Sequence, residues 1–322
     1  MILPINGVRV ALLGDVHLGR VFKNGVPLDR RGEREQMVRT QFHNELHNSE
    51  SEILIQVGDL FDGFRVELNE VVFAADTIRD AAVFHPDRHF FFLAGNHDLA
   101  KDTDRISSLE LVERLLSDLP NVHFVITVPL MWTNPDILMV PWSPVTPAAD
   151  IIGNVLPSLQ PDLIVGHWDR QEIAGEFNLI PLDKLAALTR RVVSGHDHTP
   201  AEFMHGDLEV TYVGSMQPYS HGEDPTGKLY VTRTVAEVEA DPSLFHDLCL
   251  RILVGDKETP PTDVDCLQLT LKKIGSEDSD LTVDFEDGLN MAALFDECLE
   301  GIDADVVSTV KVKFNEVRNA AT

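Results

Sequence analysis

Five short motifs, each closing a hydrophobic run, place aspartate, asparagine and histidine at fixed points along this chain. They are Gly14-Asp15-Val16-His17, Gly58-Asp59-Leu60-Phe61-Asp62, Gly95-Asn96-His97-Asp98, Gly166-His167-Trp168 and Gly195-His196-Asp197-His198. Carboxylate and amide oxygens are hard ligands and imidazole is a borderline one. The set therefore suits manganese, iron, zinc or magnesium rather than thiolate-bound metals. Any one motif also reads as a capped turn, because Asp and Asn favour such loops. Five in succession point instead to a metal site, and to a two-metal site in particular.

The elements that must position these residues are visible as apolar runs. Residues 8–13, 53–57, 90–94, 163–165 and 192–193 have the length and β-branched content of buried strands, and a glycine ends each one in a tight loop. Helical stretches are expected at 33–47, 69–84, 107–116, 148–159 and 181–188. Strand and helix in alternation imply an α/β sandwich with helices outside and ligands at the carboxyl edge of the strands. Beyond Val231 the pattern changes. Strands at 248–254, 267–271 and 307–314, with a helix at 290–299, imply a small α+β unit. The expected division is residues 1–240 and residues 241–322.

The ordered motifs resemble those of the calcineurin-like metallophosphoesterases. More narrowly, the chain is similar to the SbcD-type DNA double-strand-break repair nucleases, especially their bacteriophage members. The narrower likeness rests on His17-Leu18-Gly19, the Gly-Asp-Leu-Phe-Asp spelling of the second motif, Val140-Pro141-Trp142 and Gly166-His167-Trp168. It also rests on the run from Tyr212 to Tyr219 and on Gly222 to Gly227. It covers residues 8–250 well and the rest loosely. The resemblance implies a β-sandwich flanked by helices, with a small C-terminal DNA-capping domain, and two divalent ions, manganese favoured and magnesium, iron or zinc as alternatives. Carried over motif by motif, Asp15, His17, Asp59 and His198 hold one ion, and Asp59, Asn96, His167 and His196 hold the other. Asp59 is shared because a carboxylate has two oxygens to divide. His97 positions the scissile phosphate and helps protonate the leaving oxygen. Asp98 orients His97 or its loop. Asp62 supports His97 or caps its turn.

Charge bears on the substrate. The formal net charge is −27, and residues 236–322 contribute 20 acidic against 7 basic side chains. Nucleic-acid binders usually show a basic footprint, although net charge constrains solubility and steering rather than local contact. Four cations nevertheless follow the ligand loops closely. Arg20 is three residues after His17, Arg65 three after Asp62, Lys101 four after His97 and Arg170 three after His167. These are expected to form a collar that contacts DNA phosphates, extended by Lys23, Arg30, Arg31 and Arg34.

The function expected is a two-metal phosphodiesterase acting on DNA, as an exonuclease on duplex ends and an endonuclease on single strands or hairpins. A small-substrate phosphoesterase and a catalytically inactive DNA-end scaffold are the alternatives. The resemblance further implies a homodimer, with Val71, Val72, Ala75 and Ile78 of the 69–84 helix as its apolar face. A coiled-coil ATPase of the SbcC type is a candidate partner, although the usual tail that binds it is not evident. Three well-separated cysteines, no basic leader and no apolar run of membrane-spanning length point to a cytoplasmic protein, in the host cytoplasm if phage-encoded.

Overall fold

Strands that carry apolar residues on both faces need a cover on each side, and here one cover is a second sheet and the other a layer of helices. The computed structural model describes residues 1–100, 105–170, 177–261 and 263–274. The first sheet contains β1 (Ile2–Ile5), β2 (Val8–Leu13), β3 (Ile53–Gln56), β4 (His89–Leu93) and β5 (Val122–Val125), side by side in that order. β2 to β5 are parallel, and β1 is an antiparallel edge on β2. The second sheet contains β6 (Leu130–Trp132), β7 (Ile137–Met139), β8 (Leu163–His167), β9 (Arg191–Gly195), β10 (Ala201–His205) and β11 (Leu208–Tyr212). Its order is β10-β11-β9-β8-β7-β6, with a parallel centre of β11, β9, β8 and β7.

The two sheets share one core. Val10, Leu12, Ile53, Ile55, Phe91 and Leu93 of the first meet Ile137, Met139, Leu163, Val165 and Val193 of the second. Full burial of side chains of this size contributes about 1.5–3 kcal/mol each. On the other face of the first sheet, Leu54, Phe90 and Phe92 pack beneath α1 (Glu33–Asn48), α2 (Leu68–Phe84) and α3 (Ser108–Leu115). Helix α1 buries Arg34, Val38, Phe42 and Leu46, one residue per turn. A reciprocal Ser107–Glu110 capping box starts α3. The outer face of the second sheet is covered by α4 (Ala148–Gly153) and α5 (Leu182–Ala186). The layers therefore run helix, sheet, sheet, helix, the mixed α/β sandwich that the motif spacing predicts.

Three differences from the sequence reading have physical causes. Helix α4 stops at Gly153 rather than near residue 159, because Pro157 disfavours helical geometry at Leu156. In α2, Val71, Ala75 and Ile78 face the sheet, which leaves Val72 exposed with Leu68 one turn before it. The third difference concerns the motif glycines. Only Gly58 has a left-handed φ, +112°, so most of them serve close packing rather than a turn.

A third, wholly parallel sheet follows, made of β12 (Tyr230–Thr234), β13 (Cys249–Gly255) and β14 (Gln268–Ile274). Helix α6 (Val235–Ala240) packs on it through Val235 and Val238. Residues Met1–Ile274 form one compact unit. Within it, Leu269 N–H donates to Gly25 O at 2.7 Å, and Arg30 pairs with Asp265 at 3.1 Å. The third sheet is thus tied to the segment that follows His17. The helix expected at 290–299 and the strand expected at 307–314 lie outside the described residues. Among the described residues no helix is long and apolar enough to cross a membrane.

Candidate metal centre

The carboxyl ends of β2, β3, β4, β8 and β9 deliver all five motifs to one place. The Val140-Pro141-Trp142 segment stitches the two sheets together there. Val140 N–H donates to Val165 O at 2.8 Å, and Trp142 N–H donates to Ala94 O at 2.9 Å. Crowding explains two of the motif glycines. A Cβ on Gly95 would lie 2.1 Å from Asp59 Oδ1, and one on Gly58 would lie 2.2 Å from His167 Nδ1. Strain is also concentrated here, since His17, Asp59 and His196 hold positive φ values of 50°, 54° and 78°. Such conformations cost about 1–3 kcal/mol each and persist where the surroundings fix them.

All seven expected ligands converge in two neighbouring groups. In the first, His17 Nε2 lies 2.9 Å from His198 Nε2, and His198 Nε2 lies 3.5 Å from Asp15 Oδ2. In the second, Asn96 Oδ1 lies 3.0 Å from His167 Nε2 and 2.8 Å from His196 Nδ1. Asp59 stands between them, with Oδ2 3.5 Å from His167 Nε2 and 3.9 Å from His17 Nε2. A role shared by the two groups would therefore fall on Oδ2 of Asp59, while its Oδ1 accepts the His97 main-chain N–H at 2.9 Å.

The donor chemistry fits divalent cations. Asp15, His17, Asp59 and His167 are almost completely buried. His167 donates from Nδ1 to Val57 O at 2.9 Å, which in a neutral ring leaves a lone pair on Nε2 facing the Asn96 oxygen. Asp59 Oδ2 lies 3.5 Å from the same nitrogen, so a proton or a cation there meets acceptors on more than one side. Burial alone would lower the His167 pKa, but the Asp59 charge and hydrogen bond, with Asp15, raise it to about 10. Burial would likewise raise Asp59, yet His167, His17 and His97 hold its carboxyl well below the ordinary range. A dication replaces such a proton and releases it.

The remote ring nitrogens of the four histidines also meet oxygens. His17 Nδ1 lies 3.3 Å from Asp62 Oδ1, off the line of a well-formed hydrogen bond. His198 Nδ1 lies 3.4 Å from Glu223 Oε1, His196 Nε2 contacts Asp169, and His167 Nδ1 meets Val57 O as above. Sequence reasoning missed Asp169 and Glu223 as parts of the site. Asp169 is readable as the second residue after His167. Glu223 is separated from His198 by β10, β11 and the irregular stretch after them, and no spacing signals it.

His97 sits beside the first group, its ring 4.8 Å from that of His17. Its Nδ1 donates to the main-chain carbonyl of Asp62 at 2.8 Å. Asp62 thus supports His97 through its backbone, while its carboxylate turns to His17 and, at 3.4 Å, to Arg20. Asp98 holds the loop instead of His97. Its carboxylate accepts the amides of Gly95, Phe61 and Leu60 at 2.9, 3.0 and 3.3 Å. Burial, then the nearby Asp59 charge, raises its pKa to about 7.

The expected cations divide. The Arg20 guanidinium lies against Asp62 and 4.7 Å from the Tyr219 ring. Arg170 Nε lies 2.8 Å from Asp197 Oδ2. Arg65 is exposed, 5.7 Å from the Phe64 ring. Lys101 lies outside the described residues. Arg30 and Arg34 are not collar residues, because both are buried, on Glu33 and Asp265 and on Gln217 respectively. Trp168 is also core, its ring packed over Gly166.

The family model described as calcineurin-like phosphoesterase matches residues 8–206. No curated protein matches the chain. Among solved structures, the phosphopantetheinyl hydrolase of Mycobacterium tuberculosis is 15% identical over 66% of this chain and 93% of its own, with a TM-score of 0.37. A dimetal phosphatase from Danio rerio is 11% identical over 64% and 87%, with a TM-score of 0.41. An archaeal phosphodiesterase is 13% identical over 66% and 87%, with a TM-score of 0.35.

Proposed function

Because the chain belongs to the calcineurin-like phosphoesterase family, we propose that it is a two-metal phosphodiesterase acting on DNA, at duplex ends as an exonuclease and on single strands or hairpins as an endonuclease. The observation that carries the hydrolase reading is the single Asp59 oxygen between two groups of N and O ligands. Asp15, His17, Asp59 and His198 would hold one ion, and Asp59, Asn96, His167 and His196 the other. When bound, two such ions polarise a phosphodiester and bring the pKa of water toward 7.

The chain's own residues supply the rest. The Asp62 carbonyl fixes the His97 tautomer, so Nε2 is the nitrogen left to pass a proton to the leaving oxygen. The Asp59–His97 bond keeps that ring in register with the ligands. Asp98 locks the second and third motif loops together.

DNA as substrate is favoured by the SbcD-type spelling of the motifs and by the open edge beside the ligands. That edge is lined by Asp169, Arg170, His196, Asp197, Thr199 and Glu223, and a polymer can lie across it. The third sheet, tied to the segment after His17, is placed in this reading as the start of a DNA-capping unit. A second reading, a small-substrate phosphoesterase, is favoured by one observation: Arg20 and Arg170 already face carboxylates. The purified chain, given manganese and end-labelled duplex, hairpin and mononucleotide substrates, decides between them. Cleavage of the polymers in preference to the mononucleotide supports the nuclease. The reverse preference overturns it.

A further inference from the structure

Asp169 and Glu223 lie outside all five motifs, yet each reaches the outer nitrogen of a different ligand histidine. Asp169 contacts His196 Nε2, whose Nδ1 turns toward Asn96. Glu223 Oε1 lies 3.4 Å from His198 Nδ1, and His198 Nε2 turns toward Asp15 and His17. The Asp169 backbone and the Glu223 carboxylate are both held by their own surroundings. The Asp169 main chain bonds in both directions to the 178–180 segment, accepting from Ile180 N–H and donating to Asn178 O at 3.0 Å each. Glu223 accepts the Tyr219 N–H at 2.8 Å and the Ser220 hydroxyl at 3.1 Å. About four-fifths of each side chain is shielded from solvent.

A carboxylate on the outer nitrogen selects the tautomer, fixes the ring plane and raises the basicity of the ligating nitrogen. The supports here come from unconnected segments and touch different ligand groups. We propose that Asp169 and Glu223 are positioning residues that each serve one ion. Asp169 acts through His196 on the ion held with Asn96 and His167, and Glu223 acts through His198 on the ion held with Asp15 and His17. The two affinities are then independently adjustable, although Asp59 is common to both. The Glu223 support continues into the third sheet. The next residue, Asp224, accepts the amides of Lys228, Leu229 and Tyr230 at the start of β12. The Asp169 support continues instead into the segment leading to α5. The inference rests on the two-metal reading of the site.

The test is a calorimetric manganese titration of the whole metal-free chain. The variants are Asp169→Ala and Glu223→Ala, with Asp169→Asn and Glu223→Gln as isosteres that keep an acceptor and lose the charge. Each alanine variant is expected to keep one parental site and weaken the other by about 10–100-fold, with the isosteres intermediate. Crystals grown at limiting manganese assign the surviving ion by its anomalous signal. It is expected beside Asn96 and His167 in Glu223→Ala, and beside Asp15 and His17 in Asp169→Ala. Parental affinity at both sites overturns the proposal, and so does equal loss at both. Thermal melting of the metal-free variants identifies any that fail to fold, and the isosteres then carry the comparison. A parent chain that binds fewer than two manganese ions overturns the two-metal reading itself, a result distinct from any difference among variants.

Discussion

Asp59 and His97 are joined directly: Asp59 Oδ1 accepts the His97 main-chain N–H at 2.9 Å. The bond leaves Oδ2 as the one oxygen of Asp59 that faces both His167 and His17. Loss of the Asp59 charge is therefore expected to weaken the proposed common ligand and the bond to the loop carrying the proposed acid at the same time.

Asp59→Asn is expected to lose both ions and to reduce hydrolysis below detection. Elemental analysis of the purified variant measures this. Two ions retained at full occupancy would show that the shared oxygen does not hold them.

His97→Asn separates binding from chemistry. His97 is not among the seven proposed ligands, and Asn can still offer its main-chain N–H to Asp59. Both metals and DNA affinity should persist, while turnover falls on the order of 10²–10⁴-fold, the scale of a lost general acid. Single-turnover kinetics at saturating manganese provides the measurement, and near-parental turnover would remove His97 from the mechanism.

The motifs were legible because each strand is a short apolar run and each motif glycine is followed at once by a candidate ligand. Periodicity located α1 to α3 within a residue or two because apolar spacing sets which face is buried. What the sequence hid lies in irregular segments. Glu223 reaches His198 only through the path of the 215–224 chain, which Tyr219 fixes by donating its hydroxyl to Val16 O. The motif glycines announced tight loops, whereas their usual task is to admit a neighbouring ligand, as Gly95 admits Asp59. Spacing also placed the arginines near the ligands without revealing that Asp62 and Asp197, from the same motifs, would face two of them.

The Asp224 clamp on β12 makes a pH-dependent contribution to stability. Burial works to raise its pKa, but the amides of Tyr230, Leu229 and Lys228 outweigh that and lower it to about 2 from the ordinary 3.8. A depressed folded-state pKa means stability that is complete above about 4 and lost as pH falls toward 2. Its size is at most about 2 kcal/mol. Asp224→Asn should be less stable than the parent by up to that amount at pH 7, with a smaller gap at pH 3. Denaturant melts at both values measure it, and a gap that does not narrow would assign the clamp to geometry rather than charge.

We propose that the chain forms a homodimer in which Leu68 and Val72, 71% and 52% exposed and one turn apart on α2, meet a second copy. Light scattering at micromolar concentration should report a dimer, and Leu68→Glu combined with Val72→Glu should yield a folded monomer. A monomeric parent ends the dimer reading.

The cations near the ligand loops distinguish a polymer substrate from a small one. Arg65 is exposed on the loop after Asp62, and Arg170 faces Asp197 at the open edge lined by His196 and His198. A DNA backbone presents several phosphates and can engage both, whereas a mononucleotide reaches one at most. Arg65→Ala combined with Arg170→Ala should therefore weaken DNA binding and flatten its salt dependence by roughly one log-log unit per lost contact. Arg65 should carry the larger share, because the Asp197 carboxylate already offsets much of the Arg170 charge. Hydrolysis of a small chromogenic phosphodiester should change little in the same variant. Equal loss on both substrates would assign the arginines to the catalytic centre. An unchanged salt slope would leave them as ordinary loop polarity and shift the balance to the small-substrate phosphoesterase.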